Sequence, residues 1–319
     1  MSSYGLNDDA QHLILAGLRD STKKQYCHYI EQWISYCTQM NIQWQSATGA
    51  DVINFLTSLH TRGLGYSAIN TAKSALSSVL PAAVKREVYF GTNSLTCRLL
   101  KGVFNTRPSL PRYTVTWHTD LVLRYLETQT IDACSLKDLT LKLTMLLALC
   151  SAQRLQGLRA LSINTCVFSS NSCVFYINKM LKTTRIGRHQ QPIKFTRFEN
   201  RELCVLTHLE KYIAIMQKVR GGHDQLLLSY VKPHCPVRED TISRWLKTIL
   251  RAAGIDTQQF TAHSTRSAGT SKAARVESVP IDAILKSAGW VQESTFRKFY
   301  NRDVSCNDEN NFAHAVLHT

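Results

Sequence analysis

The sequence lacks every common arrangement of metal-binding or disulfide-forming cysteines. Ten cysteines are present, but there is no C-x-x-C, and the closest pairs are Cys27/Cys37 and Cys166/Cys173. The histidines do not form an H-E-x-x-H motif either. Cysteines scattered singly along a chain of 319 residues are typical of free thiols in a reducing compartment. We therefore expect no structural disulfide and no bound metal.

Long hydrophobic runs and nucleotide-binding motifs are lacking as well. The longest strongly apolar run lies around Met145–Cys150, which is far too short to cross a bilayer. The first residues show no basic segment followed by an apolar one, so we expect no secretory leader. There is no P-loop and no G-x-S-x-G, which disfavours ATP-driven function and serine hydrolysis. These absences predict a protein without membrane association and without a cofactor. We expect it in the cytosol, nucleoid or nucleus.

Acidic residues are few relative to basic ones. Lys and Arg number 38 against 23 Asp and Glu, which gives a net charge of +15 and a pI near 9.5. Such an excess favours a polyanionic partner, because each neutralised phosphate releases condensed counterions. We predict double-stranded DNA as the partner. The candidate DNA-binding residues are Lys23, Lys24, Lys73, Arg98, Lys101, Arg107, Arg112, Arg185 and Arg188.

Hydrophobic periodicity predicts a mainly α fold with a small antiparallel β-sheet. Short helices are expected from about residue 18 to 105, one of them after a capping box at Thr48–Asp51. The basic segment 106–116 contains Pro108 and Pro111 and is predicted to be a linker. The predicted domains are therefore a helical DNA-clamping domain, 1–105, and a second domain, 117–302, followed by a tail, 303–319.

The second domain combines helices with short strands. A long apolar helix is predicted from Leu136 to about Ala152. Further helices are expected over about 199–219 and 238–253, and another begins near Pro280 and closes at Gly289. The predicted strands are 161–168, 173–178 and 190–195, where β-branched and aromatic residues alternate with polar turns.

A cluster of possible catalytic residues lies near the end of the chain. His263 and Arg266 are one helical turn apart, Trp290 follows, and Tyr300 is the only tyrosine after residue 231. Forked, permanently charged arginines suit a phosphate that gains negative charge in its transition state. Arg154, directly after the long apolar helix, is the second candidate arginine. The indole N–H of Trp290 offers a further donor, and His263 offers a donor or a proton carrier.

Tyr300 is the candidate nucleophile. Neighbouring guanidinium groups favour the phenolate, and a phosphotyrosyl bond keeps the energy of the broken phosphodiester, so the reaction can be reversed. The departing 5′ oxygen needs a proton, for which we select Lys182 in the polar turn between two predicted strands. Lys179 and Lys194 remain alternatives, because spacing alone does not separate these three lysines.

The order Arg154, Lys182, His263, Arg266, Trp290 and Tyr300 resembles that of the tyrosine recombinase, or phage integrase, family. Residues 1–105 resemble its core-binding domain, and residues from about 117 onward resemble its catalytic domain. The resemblance implies a site-specific recombinase or integrase that works through a 3′-phosphotyrosyl intermediate without metal or ATP. It also implies a homotetramer on DNA, with the tail docking onto a neighbour.

Several local stretches resemble recombinases of eukaryotic mobile elements, namely DIRS-type retrotransposons and Cryptons. This closer resemblance implies transposition and a nuclear protein. The stretches are Lys101–Pro108, Ser135–Thr140, Ala152–Gln156, Lys182–His189 and His263–Gly269.

Two features depart from the family pattern. Many members carry an acidic residue three positions after the first arginine, where this chain has Gly157. We therefore expect the network around Arg154 to be built differently. The interval from Trp290 to Tyr300 is one residue longer than the commonest spacing, and Phe299 occupies the usual tyrosine position. A different helix or turn must then present Tyr300.

Two other functions remain open from the sequence. A type IB topoisomerase shares the phosphotyrosyl chemistry but relaxes supercoils as a monomer. A catalytically inactive DNA-binding protein descended from a recombinase would keep the basic surface and lose cleavage. The two-domain layout favours a recombinase over the topoisomerase, and the full set of six residues argues against inactivity.

Overall fold

A computed structural model describes residues 7–80, 84, 85, 88, 94–108, 114–187 and 190–304. Its contacts divide the chain into two compact units, Met1–Pro111 and Arg112–Thr319. The fold is mainly helical with one small antiparallel sheet, which confirms the predicted fold class. No helix in the described part of the chain is both long and apolar enough to span a bilayer.

The first unit is built from helices. Thr48 and Asp51 form the predicted capping box, with reciprocal hydrogen bonds between side chain and backbone. The first helix was not predicted; its N-terminus is capped by the side chain of Asn7. The described helices of this unit are α1 (Asp8–Ala16), α2 (Asp20–Gln39), α3 (Gly49–Thr61), α4 (Tyr66–Val79) and α5 (Leu95–Thr106).

The core of the first unit lies where its helices meet. Trp33 of α2 packs edge-on against Phe55 of α3, with ring centroids 5.3 Å apart. Both rings are buried together with Leu59 and Leu76. Burial of each such side chain contributes about 1.5–3 kcal/mol, which holds these short helices in place.

The second unit has a helical core with the sheet on one side. The predicted apolar helix is confirmed, but it ends at Ser151, where Ala152 takes a left-handed conformation with φ of 50°. The described helices are α6 (Thr119–Glu127), α7 (Leu136–Ser151), α8 (Leu155–Arg159), α9 (Val205–Met216), α10 (Glu239–Ala252), α11 (Ser264–Ala274), α12 (Ile281–Ala288) and α13 (Glu293–Phe299).

The sheet is an antiparallel meander of β1 (Cys166–Phe168), β2 (Ser172–Phe175) and β3 (Ile193–Thr196). Cys173 and Phe175 of β2, and Ile193 and Phe195 of β3, bury one face of the sheet in the core. This alternation fixes the register, because a slip by one residue would turn the apolar side chains to solvent.

The predicted boundaries of all three strands and of one helix were wrong. The strand predicted over 173–178 spans Ser172–Phe175, and residues 176–178 form no strand. Residues 161–165 form no strand; Ile163–Thr165 is a short 3₁₀ helix, and Ile163 donates its N–H to the Asp224 carbonyl at 2.9 Å. The strand predicted from Gln190 begins at Ile193, because Pro192 has no N–H for the ladder. The helix predicted from residue 199 begins at Val205, since residues 199–204 form turns.

Glycines end two helices of the second unit as predicted. Gly254 follows α10 with φ of 80°, and Gly289 ends α12 with φ of 65°. At the end of the described chain, Asp303 accepts a hydrogen bond from the Thr116 N–H at 2.7 Å. Residues 303–304 therefore pack against their own unit. The rest of the predicted tail, 305–319, lies outside the described residues.

Candidate active site

Arg154 is placed by the turn that ends α7. The left-handed Ala152 reverses the chain, and Arg154 becomes the residue before the first turn of α8, half-buried. Gln153 fixes this turn, because its Nε2 donates to the Ser287 carbonyl of α12 at 2.8 Å. The local sequence thus delivers the guanidinium of Arg154 to the same side as α12.

The helix α11 carries His263 at its N-terminus and Arg266 in its first turn. Small residues let α11 approach α7 closely: a Cβ on Gly269 would lie 2.9 Å from the Leu149 carbonyl oxygen. Ser264 accepts a hydrogen bond from the Trp117 indole at 2.8 Å. These two contacts hold the start of α11 in place, and they therefore fix the positions of His263 and Arg266.

Arg266 is 1% exposed, and only part of its guanidinium is bonded to the protein. Nη2 donates to the Ala288 carbonyl at 2.6 Å. Nε and Nη1 of Arg266, and Nε1 of Trp290, are buried donors without a hydrogen-bond partner among the described residues. A buried unpaired donor costs about 1–3 kcal/mol, more when charged, so a group of three indicates that an anion belongs here.

The aromatic residues pack around this guanidinium. Its carbon lies 4.5 Å from the Trp290 ring centroid and 5.3 Å from the Tyr300 ring centroid. The Trp290 and Tyr300 rings are 4.4 Å apart. Tyr300 Oη lies 3.5 Å from His263 Nε2. The structure therefore brings together His263, Arg266, Trp290 and Tyr300 within one unit of the same chain.

Tyr300 is presented by a turn and not by the helix. The helix α13 ends at Phe299, and Tyr300 follows with φ of −128°, its N–H bonded to the Phe296 carbonyl at 2.8 Å. Phe296 is fully buried, whereas Phe299 is 52% exposed. The extra residue after Trp290 is absorbed where the helix ends, which turns Phe299 outward.

Two serines of α11 hold the backbone of Tyr300. The Tyr300 carbonyl oxygen accepts from Ser267 Oγ at 3.0 Å and from Ser271 Oγ at 2.7 Å. Ser271 Oγ also accepts the Arg302 N–H at 3.0 Å. Both serines are buried. The helix that carries Arg266 thus also fixes Tyr300, and sequence reasoning missed this serine pair (Ser267 and Ser271).

Electrostatics in this region favour an anion. The pKa of His263 is lowered by burial and then by the charges of Arg266 and Arg154, so its imidazole is neutral at neutral pH. Burial and the charge of Arg154 lower the pKa of Arg266 to about 10, and Tyr300 partly offsets this. No carboxylate forms a salt bridge with either arginine within the described residues. A bound phosphate would neutralise this uncompensated positive charge.

Lys182 lies in the loop between β2 and β3 and is exposed. It lines a cavity together with Arg154, Gln156 and Gly289. Lys194 lines a neighbouring cavity, and the lining of the cavity that contains Arg154 includes neither Lys179 nor Lys194. The cavity shared with Arg154 therefore favours Lys182 over the other two lysines as its partner.

Gly157 shows how this chain differs from the acidic pattern. A Cβ at Gly157 would lie 2.7 Å from Gln153 Oε1, so the Gln153 side chain occupies the space beside it. Gln153 and Gln156 thus border Arg154 in the segment where many family members carry an acidic residue. Both were part of the Ala152–Gln156 stretch, but nothing in the sequence indicated their contacts.

The candidate DNA-binding residues of the first unit are spread over three helices. Lys23 and Lys24 lie on α2, Lys73 on α4, and Arg98 and Lys101 on α5. Arg107, which follows α5, donates to the Leu64 carbonyl at 3.4 Å, and Lys23 pairs with Asp20 at 3.6 Å. In the second unit, Arg185 is exposed near Lys182. Arg112 and Arg188 lie outside the described residues.

The described residues contain no group of three His, Cys, Asp or Glu side chains that could hold a metal ion. The site instead consists of the Tyr300 phenol beside the buried guanidinium of Arg266 and the buried indole of Trp290, whose N–H groups are partly without partners among the described residues. Such an arrangement has the donors that a phosphate needs, next to a phenol that can act as a nucleophile.

Comparisons with known proteins agree with this interpretation. The model of the phage integrase family matches residues 124–305, and that of the phage integrase N-terminal SAM-like domain matches residues 6–89. The chain therefore belongs to the phage integrase family and is a tyrosine recombinase. Comparison with curated proteins finds no match.

Solved structures share this fold. The XerH site-specific recombinase bound to palindromic difH substrate has a TM-score of 0.60 at 14% identity, over 86% of this chain and 74% of that one. The Tn1549 transposon integrase in complex with transposon right end DNA has a TM-score of 0.58 at 14% identity, over 91% and 92%. A lambda integrase dimer bound to a COC′ core site has a TM-score of 0.55 at 16% identity, over 92% and 76%.

Proposed function

We propose that this tyrosine recombinase cleaves and rejoins DNA at specific sites, with Tyr300 as the nucleophile. One observation carries the proposal: the Tyr300 hydroxyl lies 3.5 Å from His263 Nε2, and the Tyr300 ring packs against Arg266 and Trp290, which carry buried donors without a partner among the described residues. A scissile phosphate placed there would meet the nucleophile and the unpaired donors at the same time.

The cleavage step assigns one role to each residue. Arg154 and Arg266 bind the non-bridging phosphate oxygens, and Trp290 Nε1 donates to the same group. The Tyr300 oxygen attacks phosphorus and its proton passes to neutral His263. The bond from phosphorus to the 5′ oxygen breaks, and Lys182 gives that oxygen a proton. The products are a 3′-phosphotyrosyl ester and a free 5′ hydroxyl.

Rejoining reverses these steps. A 5′ hydroxyl from a partner strand attacks the phosphotyrosyl ester, Lys182 takes up the proton, and His263 returns one to Tyr300. The phosphotyrosyl ester conserves the energy of the phosphodiester bond, so the exchange needs no ATP. This reversibility is what strand exchange between two duplexes requires.

Four further parts of the proposal rest on similarity and charge. The net charge of +15 supports double-stranded DNA as the partner. Assembly as a homotetramer on DNA is supported by the shared fold with a lambda integrase tetramer bound to a Holliday junction, with a TM-score of 0.56. A role in the movement of a mobile element is supported by the fold shared with the Tn1549 transposon integrase. The resemblance to eukaryotic elements supports a nuclear location.

Covalent capture tests the chemistry and recovers the target sequence in one experiment. The protein is incubated with nicked duplexes of randomised sequence, so that the short fragment released with the new 5′ hydroxyl diffuses away after cleavage and the adduct is trapped. We expect the wild type to form covalent adducts with a restricted set of sequences. Tyr300→Phe should form none while it still binds DNA in a salt-dependent manner.

A relocated tyrosine provides the matched control. The double variant Phe299→Tyr with Tyr300→Phe keeps one phenol but places it on the exposed side of α13, so no adduct is expected. Absence of adducts with the wild type under conditions of DNA binding would contradict the proposal. Adducts formed without sequence preference, with supercoils relaxed by monomers, would point to a topoisomerase.

A further inference from the structure

The side chain of Gln156 joins the loop that carries Lys182 to the helix beside Arg154. Gln156 lies in the first turn of α8, two residues after Arg154. Its Oε1 accepts the backbone N–H of Lys182 at 2.8 Å. Because Arg154 and Gln156 share one short rigid segment, this hydrogen bond fixes the Lys182 backbone relative to the Arg154 guanidinium.

The rest of the loop is held together by hydrogen bonds among its own residues. The turn 181–184 closes on itself: Thr184 N–H donates to the Leu181 carbonyl at 2.9 Å, and Leu181 N–H donates to Thr184 Oγ1 at 2.9 Å. Gln190 Nε2 donates to Thr184 Oγ1 at 2.8 Å. These bonds hold the loop together internally, whereas Gln156 joins it to the part of the site that contains Arg154.

A lysine side chain has several freely rotating bonds, so the position of its Cα decides which atoms the ammonium group can reach. Leu181 is buried and anchors the loop next to Lys182. The Gln156 hydrogen bond is made to Lys182 itself and fixes its backbone relative to α8. Its partner is a backbone N–H, so it acts whatever conformer the Lys182 side chain adopts.

We propose that Gln156 is a positioning residue for proton donation by Lys182 to the leaving 5′ oxygen. The inference rests on the proposed function, since it requires Lys182 to be the general acid. Gln156 does not touch the reacting atoms.

A leaving group that needs no proton separates positioning from general structure. In a duplex with sulfur in place of the bridging 5′ oxygen, the departing thiolate is far more stable than an alkoxide. Loss of the general acid should then have little effect on cleavage. A variant that affects only protonation should be slow on the oxygen substrate and normal on the sulfur substrate.

The test measures single-turnover adduct formation on both substrates, with a sequence recovered from covalent capture. Gln156→Met keeps the shape of the side chain but removes the acceptor, and we expect a rate about fivefold to tenfold lower on the oxygen substrate, as for one lost hydrogen bond. Lys182→Ala should be slower still. Both should match the wild type on the sulfur substrate. Gln156→Glu, which retains an acceptor, should restore the oxygen rate, and exposed Gln217→Ala should have no effect.

The outcomes distinguish the two proposals. If the wild type forms no adduct on either substrate, the proposed function fails. If the wild type cleaves but Gln156→Met cleaves the oxygen substrate at the wild-type rate, the positioning role is overturned. An equal loss of rate by Gln156→Met on the two substrates would also overturn it, because sulfur would then not bypass the defect.

Discussion

The serine pair makes the placement of Tyr300 open to a graded test. Ser271→Ala removes two hydrogen bonds, the one to the Tyr300 carbonyl at 2.7 Å and the one from the Arg302 N–H at 3.0 Å. Ser267→Ala removes a single bond to the same carbonyl, at 3.0 Å. The two substitutions therefore delete the same group from the same helix but remove different numbers of contacts.

The expected magnitudes follow from that count. Each hydrogen bond contributes about 1 kcal/mol net, so Ser267→Ala should cost about 1 kcal/mol and Ser271→Ala about 2 kcal/mol. If this energy holds Tyr300 in its reactive position, cleavage should slow about fivefold and about thirtyfold, respectively. The double variant leaves the Tyr300 carbonyl without either serine donor, and it should lose more than about a hundredfold.

Single-turnover adduct formation at saturating DNA is the appropriate assay, because binding no longer limits the rate. Ser287→Ala is a matched control: it is exposed on α12, and its carbonyl, not its hydroxyl, bonds to Gln153. Thermal unfolding of each variant reports whether the loss is local. The reasoning is refuted if Ser271→Ala cleaves as fast as the wild type, or if Ser267→Ala is the slower of the two.

Two further predictions concern stability, measured by urea unfolding. Gly269→Ala should destabilise the second unit by about 1–3 kcal/mol, because its Cβ would meet the Leu149 carbonyl. Gly102→Ala, in a helix with open space around it, should instead stabilise the first unit by about 0.4–1 kcal/mol; equal effects would contradict the close approach of α11 and α7. Burial lowers the pKa of His208 to about 4 from 6.5. The neutral imidazole therefore contributes fully to the free energy of unfolding above pH 6.5, and this contribution is lost as the pH falls towards 4. The loss is about 2 kcal/mol by pH 5, and His208→Gln should remove this pH dependence; an unchanged pH profile would refute the assignment.

Features set by neighbours in the chain were predictable from the sequence. The capping box at Thr48–Asp51 and the helix ends at Gly254 and Gly289 each depend on the conformation of a few consecutive residues. The fold class follows from hydrophobic periodicity for the same reason. The candidate catalytic residues were recognisable by their type and order, because phosphate chemistry restricts which side chains can serve.

Strand boundaries and the presentation of Tyr300 were decided by tertiary contacts. Segment 161–165 contains Leu161 and the β-branched Ile163, yet the Leu161 carbonyl and the Ile163 N–H bond to residues 224–226 and not to a strand of the sheet. The end of α13 before Tyr300 allows Phe296 to remain buried while Phe299 turns outward. Periodicity cannot reveal either outcome, because each depends on a partner distant in sequence.

The same distinction separates the chemistry of the site from its geometry. The sequence by itself determined which groups are available: two guanidiniums, an imidazole, an indole and a phenol. Only the tertiary structure decided that Gln156 holds the loop of Lys182, and that α11 holds both Arg266 and the Tyr300 backbone. These contacts join residues 26 and 29 positions apart, and no local pattern encodes them because their energy arises only when separate segments pack together.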